Sequence, residues 1–367
     1  MKKQVVFGQP SWCIKNDKVK AYVTEKGGHL APVQFTLEEA IVQPFMIAPW
    51  AEEPVDPTID EVLKVLRGDF FCMPFAGKFM PPDGIDYTCH GEPATKKWTL
   101  AASADSSLNL EMSLTQRPGK VTRSIKLVPG QAAVYCSHTV SGVDGPMSYG
   151  THPTLQLPDR EGCAFVSVSP YDLGEVAPFP FEDPAQGGYQ SLKPGAVFDD
   201  IAKVPKIDGS LADLSRYPAR KGFEDFVMLR TRQDLPFGWA AVSVPSEGYV
   251  WFSLKDPKVL PLSVFWFSNR GRHYAPWNGR NIGVIGMEEA CLQLPLGLDS
   301  KELFSDCARL SADRALTVNT IMGVLPIDES FGRVEAIEPA TGGIEVRFQT
   351  GQSKRVAVHL THLSEAG

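Results

Sequence analysis

Residues 67–98 read RGDFFCMPFAGKFMPPDGIDYTCHGEPATKKW, which sets an arginine, an apolar run, several Gly and Pro turns, a His-Gly step and a tryptophan in one window. The run Phe70-Phe71-Cys72-Met73 predicts a buried strand that delivers the chain through Pro74 and Gly77 into a loop ending at His90-Gly91. Two readings of the window stand. In one, Phe70 to Phe75 is core and His90 is a solvated turn histidine. In the other, Arg67, His90 and Trp98 join the aromatic residues to line a pocket. Rings with a few fixed polar groups suit a sugar, whose C–H face stacks on them while its hydroxyls take charged hydrogen-bond partners.

These residues resemble the aldose 1-epimerase (galactose mutarotase) superfamily. Arg67-Gly68, the apolar run, Pro74, Gly77, His90-Gly91 and Trp98 follow the order in which members near the hexose-phosphate epimerases line their sugar pocket. The resemblance spans roughly residues 5–320. It implies a large antiparallel β-sandwich, the supersandwich of galactose mutarotase-like proteins, and a sugar or sugar phosphate as ligand.

The rest of the chain reads as mainly β. Period-two alternation marks Leu108 to Leu114, Val121 to Leu127 and Ala133 to Val140, with turns at Pro118-Gly119 and Pro129-Gly130. It returns from Phe226 to Phe267. Strands at this spacing predict a sandwich over a parallel sheet. Thr58, with Glu61 three residues on, predicts a short capped helix leading to Arg67. His138 alternates with polar residues and reads as exposed or structural. Residues 169–217 are rich in Pro, Gly and aromatics, and form either a pocket wall or a surface excursion; Arg216, Tyr217, Arg220 and Lys221 are candidates to reach a ligand. Domain limits are expected at 1–325 for the sandwich and 326–367 for a small β tail, an SH3-like unit or an added sheet, suited to docking or a homodimer contact.

Candidate chemistry lies at three further places. His152 ends a strand before Pro153, which holds it extended; the resemblance places a histidine at this point of the chain opposite the sugar ring oxygen, although Thr154-Leu155 stand where aromatics are common. Gly286-Met287-Glu288 matches the family's Gly-Leu-Glu-Pro context for the catalytic base, with Glu289 where proline is common, so Glu288 is the expected base and Glu289 its fallback. Arg270 and Arg272 sit in a loop dense in cations and aromatics. They read equally as a bidentate anion holder and as a solvated loop.

Opening a sugar ring needs one proton removed from the C1 hydroxyl and one delivered to the ring oxygen. A carboxylate and a histidine suffice, with neither metal nor other cofactor. Glu288, His152 and His90 are the catalytic candidates; Arg67, Trp98, Arg270, Arg272 and Glu289 are the substrate-binding ones. A sugar-binding protein without turnover is the alternative. A two-carboxylate glycosidase drawing on Glu92, Glu288 or Glu289 has no spacing to support it.

Composition excludes other classes. The net charge is −7 over 367 residues and no Lys/Arg run is longer than two, which leaves no basic surface for nucleic acid. Dinucleotide, P-loop, serine-elbow and zincin motifs are missing. Seven scattered cysteines without a Cys-x-x-Cys pair, no secretory h-region after Met1-Lys2-Lys3 and no apolar stretch of spanning length predict a cytoplasmic protein away from membranes.

Overall fold

The computed structural model describes residues 1–38, 40–75, 84–292 and 309–365. Gly77 of the predicted Pro/Gly loop lies outside them.

Two antiparallel sheets form the body. The nine-stranded sheet runs, in spatial order, Arg216–Tyr217, Ala164–Val168, Gly238–Val244, Tyr249–Lys255, Leu316–Pro326, Ala133–Ser141, Lys120–Leu127, Ser107–Ser113 and Thr99–Ala104. The eight-stranded sheet includes, in order, Tyr171–Val176, Phe223–Thr231, Leu262–Asn269, Val284–Cys291, Tyr149–Thr151 and Phe71–Cys72, with Thr154–Gln156 also paired to Val284–Cys291. A five-stranded sheet from residues 4–42 precedes them. The expected mainly-β sandwich is therefore observed. Among the described residues, no helix is long and apolar enough to cross a membrane.

The sheets differ in what covers them. Alternate residues of the outer strands of the nine-stranded sheet face solvent, which is why Ser107–Ser113 and Lys120–Leu127 read as period two. The strands Leu262–Asn269 and Val284–Cys291 are buried at every position. One face of the eight-stranded sheet meets the inter-sheet core through Ile285, Met287 and Cys291. The other packs Phe226, Val264 and Trp266 under a cover holding Trp50, Val62 and Leu66. A buried strand bearing two consecutive glutamates must satisfy one carboxylate on each face.

The core also holds charge. Arg123 and Asp69, both fully buried, pair at 2.9 Å, and Arg123 also donates to the Gly28 carbonyl. His138 is fully buried, with its ring stacked on Phe71 at 4.4 Å. That corrects the exposed reading of His138: it shares the inward face of its strand with Val134, Cys136 and Val140, while Ser137 and Thr139 take the half-exposed face.

Residues 58–65 do not form the expected helix. Thr58 donates its N–H and hydroxyl to Asp56, and the segment proceeds in i to i+3 turns such as Leu63 to Asp60. In the tail, Val334–Ala340, Gly343–Phe348 and Ser353–Ala357 make their own antiparallel sheet. Ile337, Ile344, Val346 and Phe348 share a core with Tyr135, Trp239 and Phe252 on the outer face of the nine-stranded sheet. His362 Nε2 lies 3.1 Å from the Cys136 carbonyl.

Candidate active site

A cavity of about 900 Å³ opens on the face of the eight-stranded sheet turned away from the inter-sheet core. Phe179, Phe181, Phe226, Trp266, Tyr274 and Trp277 supply its aromatic walls, and His90, His152 and Glu288 also line it. That volume lies towards the upper end of the roughly 300–1,000 Å³ typical of small-molecule sites.

Glu288 stands on the central strand with His152 across from it, Nε2 to Oε1 at 3.2 Å. Both side chains are almost fully buried, exposed by 7% for His152 and 3% for Glu288. Burial, with Glu289 next in line, pushes the Glu288 carboxyl well above its ordinary range. Burial, with His90 nearby, pulls the His152 imidazole well below 6.5. Burial thus disfavours the charged form of both groups, the carboxylate of Glu288 and the imidazolium of His152.

Three neighbours fix His152. Its Nδ1 lies 3.0 Å from Thr154 Oγ1, whose hydroxyl can donate to the His152 carbonyl at 3.4 Å. The hydroxyl oxygen then accepts from Nδ1–H, which leaves Nε2 for Glu288. The ring stacks on Phe70 at 4.5 Å, and Phe70 stacks in turn on His29 at 4.2 Å. Sequence reading missed Thr154 as an orienting group and took it as a departure from the family pattern.

His90 meets His152 edge to face at 5.1 Å, and its Nδ1 lies 3.3 Å from Cys72 Sγ. Burial lowers its pKa to about 4. It caps the short helix Gly91–Thr95 with φ 61°. Gly91 follows because a Cβ there would overlap the Met73 carbonyl, so the chain passes close beside the apolar run that the sequence window contains.

Arg272 is the one expected substrate-binding residue that lines the cavity. Its guanidinium lies over Trp277, Phe181 and Trp266 at 4.6, 5.2 and 5.3 Å, and its Nε donates to Glu182 Oε1 at 2.6 Å. Tyr274 donates to Glu182 Oε2 at 3.2 Å. Beneath, Glu224 accepts from Trp266 Nε1 at 3.0 Å and from the Gly271 N–H at 2.9 Å, and burial raises it to about 7.

The structure places the other four substrate-binding candidates elsewhere. Arg67 is fully buried and donates to the carbonyls of Val6 and Phe7, fastening the N-terminal segment. Trp98 is a core residue whose Nε1 donates to the Pro93 carbonyl at 2.9 Å. Arg270, half exposed, reaches Asp159 at 3.6 Å. Glu289 points into the inter-sheet core, paired with fully buried Lys255 and accepting from Ser263 at 2.8 Å. Arg67, Trp98 and Glu289 find nearer partners inside the fold, and Arg270 finds its partner at the surface. Of the candidates at the end of the 169–217 segment and just after it, Tyr217 donates to the Val284 carbonyl and Arg220 to Asp225, and neither lines the cavity. The 169–217 segment instead brings Phe179, Phe181, Glu182 and Asp183 to the cavity, and Asp60 joins from the turns that precede Arg67. Among the described residues, no cluster of His, Cys, Asp and Glu has the geometry to hold a metal ion.

No protein-family model matches the chain, and no curated protein sequence matches it. Solved structures do. A candidate aldose 1-epimerase from Escherichia coli K12 aligns over 86% of this chain and 99% of its own, at 13% identity and a TM-score of 0.59. A galactose mutarotase-related enzyme from Lactobacillus acidophilus covers 87% of this chain and 98% of its own, at 12% identity and a TM-score of 0.57. A galactose mutarotase-like protein from Lactobacillus casei covers 86% of this chain and all of its own, at 16% identity and a TM-score of 0.57. The sandwich that carries Glu288 and His152 is thus the fold shared by galactose mutarotase-like proteins.

Proposed function

We propose that the protein is an aldose 1-epimerase-like enzyme that interconverts sugar anomers, with Glu288 and His152 as its acid–base pair. The contact at 3.2 Å between His152 Nε2 and Glu288 Oε1 in an aromatic cavity carries this reading. Two proton-transfer groups this close can serve the C1 hydroxyl and the adjacent ring oxygen of one sugar at once.

In the forward step, the Glu288 carboxylate takes the C1 hydroxyl proton while the His152 imidazolium gives its Nε2 proton to the ring oxygen. The C1–ring oxygen bond breaks, its electron pair goes to the ring oxygen, and C1 becomes an aldehyde. Rotation about C1–C2 and reversal of both transfers close the other anomer. The pair holds one proton in total before and after, so no external acid or base is consumed. The charged form that starts the step arises when the Glu288 carboxyl passes its proton to His152 Nε2 across the 3.2 Å contact, against the preference set by burial, and the step itself returns the carboxyl to its protonated form. His90, beside His152, orients the sugar. The cytoplasmic address expected from the scattered cysteines belongs to this proposal as well.

The test is the approach of freshly dissolved α-glucose and α-galactose to anomeric equilibrium, followed by NMR. Acceleration over buffer supports the enzyme. Line broadening without acceleration supports the sugar-binding alternative.

A further inference from the structure

The cavity holds a cation, and whether that cation is available decides which sugars fit. Among the described lining residues, Arg272 is the lone Lys or Arg, while Asp60, Glu182, Asp183 and Glu288 bring carboxyl groups. Arg272 does not stand free. Its Nε is bonded to Glu182, and Glu224 lies close enough to act on its charge as well.

Glu182 is built in rather than swept in by a mobile loop. Gln190 Oε1 accepts from the Glu182 N–H at 3.1 Å and from the Phe181 N–H. Gly188 bridges Arg272 through the backbone, and a Cβ at Gly188 would overlap Glu182 Oε2, so a glycine is required for the carboxylate to lie against it. With Tyr274 donating to its second oxygen, the carboxylate is fixed on both sides. The guanidinium plane is meanwhile spent on three rings, where it ties the wall formed by Phe181 to the one formed by Trp266 and Trp277.

Resting on the epimerase-like reading of this site, we infer that the pocket takes uncharged sugars and rejects phosphorylated ones, with Glu182 as the residue that sets this preference. With Glu182 holding Nε and offsetting the charge, Arg272 has only its Nη groups left for a sugar phosphate, and the carboxylates of Glu182, Asp60 and Asp183 in the same cavity repel it. Arg272 acts as a staple between aromatic walls that stack on the C–H faces of a neutral ring.

The test compares glucose and galactose with their 6-phosphates on the wild-type protein and on Glu182→Gln, by anomer exchange and by equilibrium titration. Wild type should favour the neutral sugars by about tenfold or more in kcat/KM and in Kd, and Glu182→Gln should close most of that gap by improving the phosphates. Equal or better handling of the phosphates by wild type overturns the inference and leaves the epimerase reading intact. The wild-type ranking does not depend on the variant folding. Binding without exchange still ranks the sugars by charge while removing the enzymatic reading. Neither binding nor exchange with any of the four sugars removes both.

Discussion

Glu288 and Glu289 are adjacent on one strand and serve opposite faces of one sheet. Glu288 meets His152 in the cavity, and Glu289 meets Lys255 between the sheets. A strand's twofold alternation therefore separates a chemical carboxylate from a structural one at consecutive positions.

Substitution at the two positions should split accordingly. Glu289→Gln leaves Lys255 buried without its counter-charge and should cost about 3–5 kcal/mol of stability. Glu288→Gln removes no ion pair from the core and should stay within about 1 kcal/mol of wild type, in the range of substitutions that break no packing or charge network. Urea denaturation of both variants checks this, and equal losses would contradict it.

Acid should weaken the fold through its buried histidines. Burial lowers His29 to about 3 and His90 to about 4, against an ordinary 6.5. A depressed pKa means that the unfolded chain binds the proton first. The stability is present in full above pH 6.5 and is lost as pH falls from there towards 4 and then 3. Thermal melting at pH 7.5 and 4.5 should show a marked drop, and His29→Asn, already weakened at pH 7.5 by loss of its stacking on Phe70, should show a smaller one.

Arg67 should behave as a fastener. Arg67→Met removes its bonds to the Val6 and Phe7 carbonyls and should cost about 1.5–3 kcal/mol, the usual worth of hydrogen bonds from a charged group. Its ratio of affinities for neutral and phosphorylated sugars should match wild type, as read by calorimetric titration. A selective loss of phosphate binding would return Arg67 to the ligand.

Thr154 should act through His152. Thr154→Val keeps the shape but removes the acceptor for Nδ1–H, freeing the imidazole to adopt the wrong tautomer. We expect kcat to fall about tenfold or more with little change in KM, because the group never touches the sugar. A purely structural role would lower stability and leave the kcat of the folded fraction unchanged.

Much of the fold was legible because half-buried strands such as Lys120–Leu127 show their alternation openly. The resemblance is what pointed to Glu288, His152 and His90, three residues far apart in the chain that the structure gathers at one cavity. What could not be read was which partner each polar group finds. Arg67 and Trp98 are satisfied by carbonyls at Val6, Phe7 and Pro93, contacts that no local pattern announces. Glu182 and the rings at 179 and 181 lie in an irregular Pro-rich segment without periodicity. Only the density of aromatics there signalled a wall.

The most direct measurement of the central claim is two-dimensional exchange NMR on glucose and galactose at anomeric equilibrium, with wild type, Glu288→Gln and His152→Ala. Wild type should give exchange cross-peaks between the α and β C1 protons, and each variant should lose about 10²–10⁴-fold in exchange rate. Exchange that persists at the wild-type rate in folded Glu288→Gln or His152→Ala would contradict it.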